Sequence, residues 1–137
     1  MRKFSFFLIM LIMASCADSL TLEDLKHLNG YWEIEKVILA DGNIKNYEIS
    51  TIIDYFEYKD LKGFRKKVQP NLNGSYTTSD DAVFFEILAE NKKFIIHYHN
   101  DINQWEEEIK HISSQEMIIV NLEGVYYYYK RFEGILP

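Results

Sequence analysis

Two histidines, His97 and His99, lie two residues apart in a predicted strand, a spacing that two-histidine metal sites use. Successive strand residues point to opposite faces, so both imidazoles share one face, with Glu106 of the next predicted strand opposite His97. His111 falls on the other face, so a third histidine ligand is missing. We interpret His97, His99 and Glu106 as a solvated surface group, and we predict no metal and no cofactor.

Glu107 falls on a face that is otherwise apolar, beside Trp105 and Tyr127. A buried carboxylate must be ion-paired, hydrogen-bonded or protonated. Glu107 could receive the polar end of a ligand inside a cavity. Alternatively, a tyrosine or Arg131 satisfies it internally, or it lies at an open rim. The candidate ligand-binding residues on this face are Phe85, Phe94, Trp105, Glu107, Tyr127 and Tyr129.

The sequence contains no recognisable catalytic set. It has no G-x-S-x-G nucleophile motif and no Gly-rich phosphate loop after a predicted strand. Its histidines do not converge on a serine, and strand alternation splits the acidic run Glu106 to Glu108 between two faces. We therefore expect a protein that is not an enzyme.

Cys16 is the only cysteine of the chain, and it follows the pattern of an export signal. Arg2 and Lys3 are followed by an apolar stretch of roughly ten residues, about half of what a membrane-spanning helix needs. The tetrapeptide Met13-Ala14-Ser15-Cys16 resembles a lipobox, with methionine where leucine is usual. This resemblance implies that Cys16 is lipidated and attaches the mature protein to a membrane. The alternative is an ordinary signal peptide in which the cysteine occurs by chance.

The predicted organisation is a signal peptide over residues 1–15, a lipidated cysteine with a short tether over 16–19, and one domain over 20–137. Removing the signal leaves 13 basic against 21 acidic residues, a net charge of −8, which argues against general nucleic-acid binding. Residue 17 is not the aspartate that favours inner-membrane retention, so the expected location is the cell envelope, at the outer membrane.

One basic run departs from this acidic average: Lys62, Arg65, Lys66 and Lys67. Such a run could contact lipid head groups or an acidic partner. We interpret it as a solvated strand face.

The elements that position these residues are mostly strands. Residues 20–28 predict one short helix, and strands follow at 31–39, 51–58 and 61–68. Alternation is interrupted near Lys36 and Asp54, which predicts bulges there.

The second half of the chain predicts an antiparallel meander of about five strands. Two-residue turns at Glu90-Asn91, Ser113-Ser114 and Glu123-Gly124, with a loop from Asn100 to Asn103, keep one apolar face continuous. In this register Tyr98 pairs with Trp105, and Ile87 with Phe94. The turn at Ser113-Ser114 pairs Ile109 with Ile118 and Glu107 with Val120. Closure into a barrel would remove the exposed edges.

A helix, then Gly30-Tyr31-Trp32, then a last strand with Arg131 resembles the lipocalin-like proteins, particularly small lipocalin-like lipoproteins of the Bacteroidetes type. The resemblance implies an all-β, antiparallel up-and-down barrel of about eight strands with one short N-terminal helix. It also implies a barrel floor made by Gly30, Trp32 and Arg131, in which the guanidinium lies over the indole.

Two functions are compatible with these features. One is a lipid-anchored carrier that holds a small hydrophobic ligand in the barrel, which the resemblance favours. The other is a non-enzymatic accessory lipoprotein that binds an envelope protein partner, with outward-facing Tyr126, Tyr128 and Phe132 as a contact strip. The many large inward side chains favour this second function, because they could fill the barrel. We prefer the carrier.

Overall fold

The computed structural model describes residues 19–78 and 81–134. The predicted signal peptide and the predicted lipidation site Cys16 lie outside these residues. In the part of the chain that is described, no helix is long and apolar enough to span a bilayer.

The chain enters the domain through one short 3₁₀ helix, Leu22–Leu28. Thr21 and Asp24 cap its start, because the backbone N and Oγ1 of Thr21 donate to Asp24 Oδ2 at 2.8 and 3.1 Å, and Asp24 N donates to the Thr21 carbonyl at 3.1 Å. Leu25 and Leu28 are fully buried beneath the sheet. The predicted helix is therefore confirmed, and it serves as a plug.

Within the described residues the strands are β1 (Gly30–Ile38), β2 (Ile44–Asn46), β3 (Ile53–Lys59), β4 (Lys62–Pro70), β5 (Tyr76–Thr78), β6 (Val83–Glu90), β7 (Lys93–His99), β8 (Gln104–Ile112), β9 (Glu116–Asn121) and β10 (Tyr126–Arg131). Eight of them close a barrel in the order β1, β3, β4, β6, β7, β8, β9, β10, because β10 pairs back with β1. The short β2 and β5 extend β1 and β4 at the end away from the helix. The predicted fold class, an antiparallel up-and-down barrel of about eight strands with one short N-terminal helix, is confirmed.

The barrel therefore has two different ends. The closed end holds the 3₁₀ helix and the turns at residues 60–61, 91–92 and 113–115. The open end holds the loops at 39–52, 71–75, 100–103 and 122–125.

The register of the meander differs from the predicted one at the first turn. The turn lies at Asn91-Lys92, both with positive φ, rather than at Glu90-Asn91. Ile87 therefore pairs with Ile96 instead of Phe94. A shift of two residues keeps every side chain on its predicted face. The loop from Asn100 to Asn103 and the pair Tyr98 with Trp105 are confirmed.

The predicted faces of β9 are wrong, because β8 has a bulge between Ile109 and His111. The bulge shifts the pairing by one residue, which exchanges the two faces of β9. Ile109 pairs with Ile119 rather than with Ile118. Met117 and Ile119 are fully buried in the core as a result.

The two interruptions in the first half have different causes. Near Lys36 the prediction is confirmed, since the β1–β10 register shifts between Ile34 and Lys36. At Asp54 the prediction is wrong, since β3 pairs with β4 without a break from Ile53 to Lys59. Asp54 is an acid on the interior face of a regular strand, and it requires a buried partner.

Candidate ligand-binding site

The floor of the barrel brings Gly30, Trp32 and Arg131 together. The Arg131 guanidinium carbon lies 3.8 Å from the centre of the Trp32 ring. Its nitrogens donate to the carbonyls of Asn29 at 2.7 Å, His27 at 2.6 Å and Ser114 at 2.9 Å. Arg131 thus ties the helix end, the start of β1 and the β8–β9 turn into one closed floor.

Gly30 is required at this floor for two reasons. Its φ of +117° lies in the region that side chains disfavour. A Cβ added to it would lie 2.7 Å from Arg131 Nη1. Any side chain would therefore push the guanidinium away from the indole.

The interior next to the floor is filled by apolar side chains. Phe85 and Phe94, two of the predicted ligand-binding residues, are buried in this core. The Phe85 ring packs against Phe56 and Tyr98, with centroids 6.1 and 5.9 Å away. Phe85 is covered by these rings, and Phe94 borders a separate small pocket of about 170 Å³ beside Ser19 and Leu20.

A polar cluster crosses the barrel above this core, centred on Arg65. Its Nη2 donates to Asp54 Oδ2 at 3.0 Å and to the Tyr129 hydroxyl at 2.8 Å. Its Nη1 donates to the Tyr98 hydroxyl at 3.2 Å and to Glu107 Oε1 at 3.3 Å. The side chains of Arg65, Asp54 and Glu107 are only 16%, 6% and 10% exposed. We call these five residues, from five different strands, the buried ion cluster.

The charges of this cluster support one another. Burial would raise the pKa of Asp54, but the adjacent Arg65 and Lys67 hold that pKa below its ordinary value. Burial opposes the charge of Arg65, yet Tyr129, the two carboxylates and Tyr98 raise its pKa. Burial also raises the pKa of the Tyr98 and Tyr129 phenols. At neutral pH the cluster therefore holds one guanidinium, ionised Asp54 and protonated tyrosines.

The prediction that the basic run is a solvated face is wrong for Arg65. Alternation along β4 turns Arg65 inward, whereas Lys66 lies outside with its ammonium 5.5 Å from the Phe64 ring. The partner of Glu107 is accordingly Arg65, and not Arg131 as one alternative supposed. Asp54 is the residue in the sequence that could have indicated the burial of Arg65. A short β3–β4 turn at residues 60–61 places it opposite Lys67 and diagonal to Arg65.

A cavity of about 440 Å³ opens between this cluster and the open end. Its volume is within the roughly 300–1,000 Å³ of small-molecule sites. Among its lining residues are the predicted Trp105, Glu107, Tyr127 and Tyr129. The full lining is Ile34, Ser50, Ile52, Asp54, Arg65, Lys67, Trp105, Glu107, Tyr127 and Tyr129. We call it the mouth cavity.

Lys67 lies at the edge of the mouth cavity. Its ammonium is 2.5 Å from Asp54 Oδ1, while its side chain remains 61% exposed. It is therefore the one solvated member of an otherwise buried set of charges among the residues that line this cavity.

The loops around the open end carry exposed apolar side chains. Ile49, Leu72, Ile102 and Leu122 are between 79% and 91% exposed, and each lies in a different loop. We call these four residues the open-end rim. Exposed apolar side chains gathered at one end of a domain are candidates for contact with another molecule.

The histidine pair lies outside the barrel. His97 pairs with Glu106 across β7 and β8, with Nδ1 3.3 Å from Oε2. A shallow groove of about 370 Å³ runs beside them, also contacted by His99 and Glu86. Among the described residues, no three histidine, cysteine or acidic side chains are arranged to hold a metal ion.

The predicted outer strip is partly covered. Phe132 packs edge-on against Tyr76, whose ring is stacked on Tyr31 at 4.4 Å. The Lys36 ammonium lies 4.5 Å from the centre of the Tyr128 ring. These contacts join β1, β5, β10 and the residues after β10 on the outside of the barrel.

Comparison with known proteins yields similarity of fold only. No family model matches the chain, and no curated protein matches its sequence. A crystal structure of a lipocalin-like protein from Bacteroides uniformis is 14% identical, with a TM-score of 0.48. An uncharacterized protein from Bacteroides eggerthii is 12% identical, also with a TM-score of 0.48. Each similarity covers 77% of this chain and 99% of the other. At this level neither carries an argument about function, so the site is assigned from contacts within this chain.

Proposed function

We propose that this protein is a lipid-anchored carrier that holds a small apolar molecule with a polar end in the mouth cavity. The observation that carries the proposal is the contrast within the barrel interior. Apolar side chains fill the half next to the floor, whereas an open cavity of about 440 Å³ lies above the buried ion cluster. Trp105 and Tyr127 offer aromatic surface in this cavity, and the cluster offers polar groups at its base.

The proposed anchor rests on Cys16, the lone cysteine at the end of the signal-like segment. Ser19 and Leu20 lie beside Phe94 and Ile109, on the side of the barrel where the helix packs. Two residues lie between Cys16 and Ser19, so the three chain steps reach at most about 11 Å. A lipid on Cys16 would therefore hold the closed end near the membrane and direct the mouth away from it.

The open-end rim favours a second candidate function. Its four exposed apolar residues could dock a protein partner of the cell envelope, as an accessory lipoprotein would. In the carrier they instead form the entrance for an apolar ligand. The two functions differ in what they predict for the mouth cavity. The carrier requires a bound small molecule there, and the accessory lipoprotein does not.

Native mass spectrometry of the full chain purified from membranes tests the carrier. We expect the wild type to retain a small molecule, and Ser50→Phe to lose it, because Ser50 lines the mouth cavity. Thr51→Phe is the matched control, since this neighbour is exposed and does not line the cavity. Equal small-molecule content in the wild type and Ser50→Phe, including none in either, would contradict the carrier.

The intact mass of the membrane-extracted chain tests the anchor. We expect cleavage before Cys16 and an added mass of acyl chains, with sedimentation in the outer-membrane fraction. Cys16→Ser should remove both the cleavage at this site and the acyl mass. A wild-type chain without acyl mass would overturn the lipoprotein proposal and leave the cavity argument intact.

A further inference from the structure

We infer that the mouth cavity selects a cationic ligand, a small apolar molecule with a primary ammonium, and that the Lys67 ammonium occupies the position which the ligand's ammonium takes. This inference rests on the carrier proposal and specifies its ligand class. It depends on which charged side chains of the cavity stay in place and which can move into solvent.

The fixed charges are the carboxylates. Asp54 and Glu107 are on regular parts of β3 and β8, and both are almost fully buried. An ionised carboxylate has about four acceptor positions and no donor. Arg65 engages one oxygen of each, Asp54 Oδ2 and Glu107 Oε1. Acceptor capacity therefore remains on two carboxylates that line the cavity.

Arg65 is poorly placed to bind an anionic ligand. Its two terminal nitrogens carry four hydrogens in total. They already make four contacts, to Asp54, Tyr129, Tyr98 and Glu107. A ligand carboxylate would have to displace a buried acid or lie beside two of them, and like charges at close range in a poorly solvated site repel strongly.

Lys67 is the charge that can leave. Most of its side chain is in solvent, so its ammonium can move into water when another cation takes its place beside Asp54. A ligand ammonium in its place keeps the balance of two cations and two carboxylates. Trp105 and Tyr127 line the same cavity and provide aromatic faces that attract ammonium groups. Ile34 and Ile52 provide apolar contact for the rest of the ligand.

Three probes of similar size separate the ligand classes: phenethylamine, phenylethanol and phenylpropanoate. Their binding to the full chain in phosphatidylcholine nanodiscs is measured by calorimetry near neutral pH, with empty nanodiscs subtracted. We expect phenethylamine to bind most tightly and phenylpropanoate most weakly.

Variants at neighbouring positions test the exchange itself. Lys67→Gln vacates the position, so phenethylamine no longer has to displace the lysine and should bind about two- to five-fold more tightly. Lys66→Gln is the matched control outside the barrel and should change nothing. Asp54→Asn should weaken phenethylamine binding roughly tenfold, because Asp54 is the carboxylate beside the Lys67 ammonium. Lys67→Gln keeps the inference testable even if Asp54→Asn fails to fold.

Three results would overturn the inference. The first is phenylpropanoate or phenylethanol binding at least as tightly as the amine. The second is loss of phenethylamine affinity in Lys67→Gln. The third is no binding of phenethylamine to a chain whose cavity retains a small molecule by mass spectrometry, which leaves the carrier proposal standing. An empty cavity in that experiment contradicts the carrier itself.

Discussion

At the closed end of the barrel Leu28 and Trp32 are fully buried, and Arg131 crosses the indole with hydrogen bonds to three carbonyls. At the open end Leu122 and the other rim residues project into solvent from four separate loops. The same kinds of side chain are therefore used in opposite ways. The closed end buries apolar surface to stabilise the fold, whereas the rim keeps apolar surface available to another molecule.

The buried ion cluster separates these two regions. Below it the barrel interior is packed, and above it the interior is open. Five strands each contribute one member, so the cluster also fixes the cross-section of the barrel at this level. A buried charged network contributes little net stability compared with apolar packing, but it is costly to break in part.

The largest expected effect on stability comes from a substitution in the buried ion cluster. Arg65→Met leaves Asp54 and Glu107 buried without their cation, which should lower the free energy of unfolding by about 3–5 kcal/mol. Urea-induced unfolding of the full chain measures this loss. Lys66→Met, on the outer face of the same strand, should change stability by less than about 0.5 kcal/mol. Equal effects of the two substitutions would contradict the assigned faces of β4.

Substitution of one leucine at each end compares how much the two ends contribute to the free energy of unfolding. Leu28→Ala removes a fully buried side chain at the closed end and should cost about 2–5 kcal/mol. Leu122→Ala removes a side chain of the open-end rim that is 79% exposed and should cost less than about 0.5 kcal/mol. Urea midpoints measure both, and a large loss in Leu122→Ala would mean that the rim stabilises the fold rather than serving another molecule.

The sequence contained enough information for the barrel but not for the base of its cavity. Turn residues and apolar alternation predicted the meander, and the two-residue error at the β6–β7 turn did not change the faces of those strands. The bulge in β8 was not predicted, because an inserted residue at Lys110 has no strong local signature. Arg65 was missed because a basic run normally indicates a solvated face. Its burial depends on Asp54, Glu107 and two tyrosines that only the closed barrel brings together.

Substitution of one glycine at each end compares the cost of a side chain at a backbone position with positive φ. Gly30 at the closed end and Gly42 at the open end both have positive φ. Alanine at Gly42 would meet nothing within 4 Å, so Gly42→Ala should cost only the conformational strain, about 1 kcal/mol. Gly30→Ala adds a clash with Arg131 and should cost about 2–3 kcal/mol. Thermal unfolding measures both, and equal losses would show that the guanidinium moves aside freely.

The smallest expected effect concerns pH. Asp54 has a lowered pKa in the folded state, so its ionisation contributes stability at every pH above the ordinary aspartate value. That contribution is lost as the pH falls below about 4 and through the lower folded-state pKa. Asp54→Asn lacks this titration, and its stability should decrease less steeply than the wild type over the same acid range.

The control for this titration is Asp101→Asn, because Asp101 is exposed in an open-end loop. Urea unfolding at a series of acidic pH values should give this variant the wild-type slope. Parallel slopes for the wild type and Asp54→Asn would instead mean that Arg65 does not favour the charged form of Asp54. The carboxylate would then not be the fixed anion on which both the boundary of the core and the ammonium preference of the mouth cavity depend.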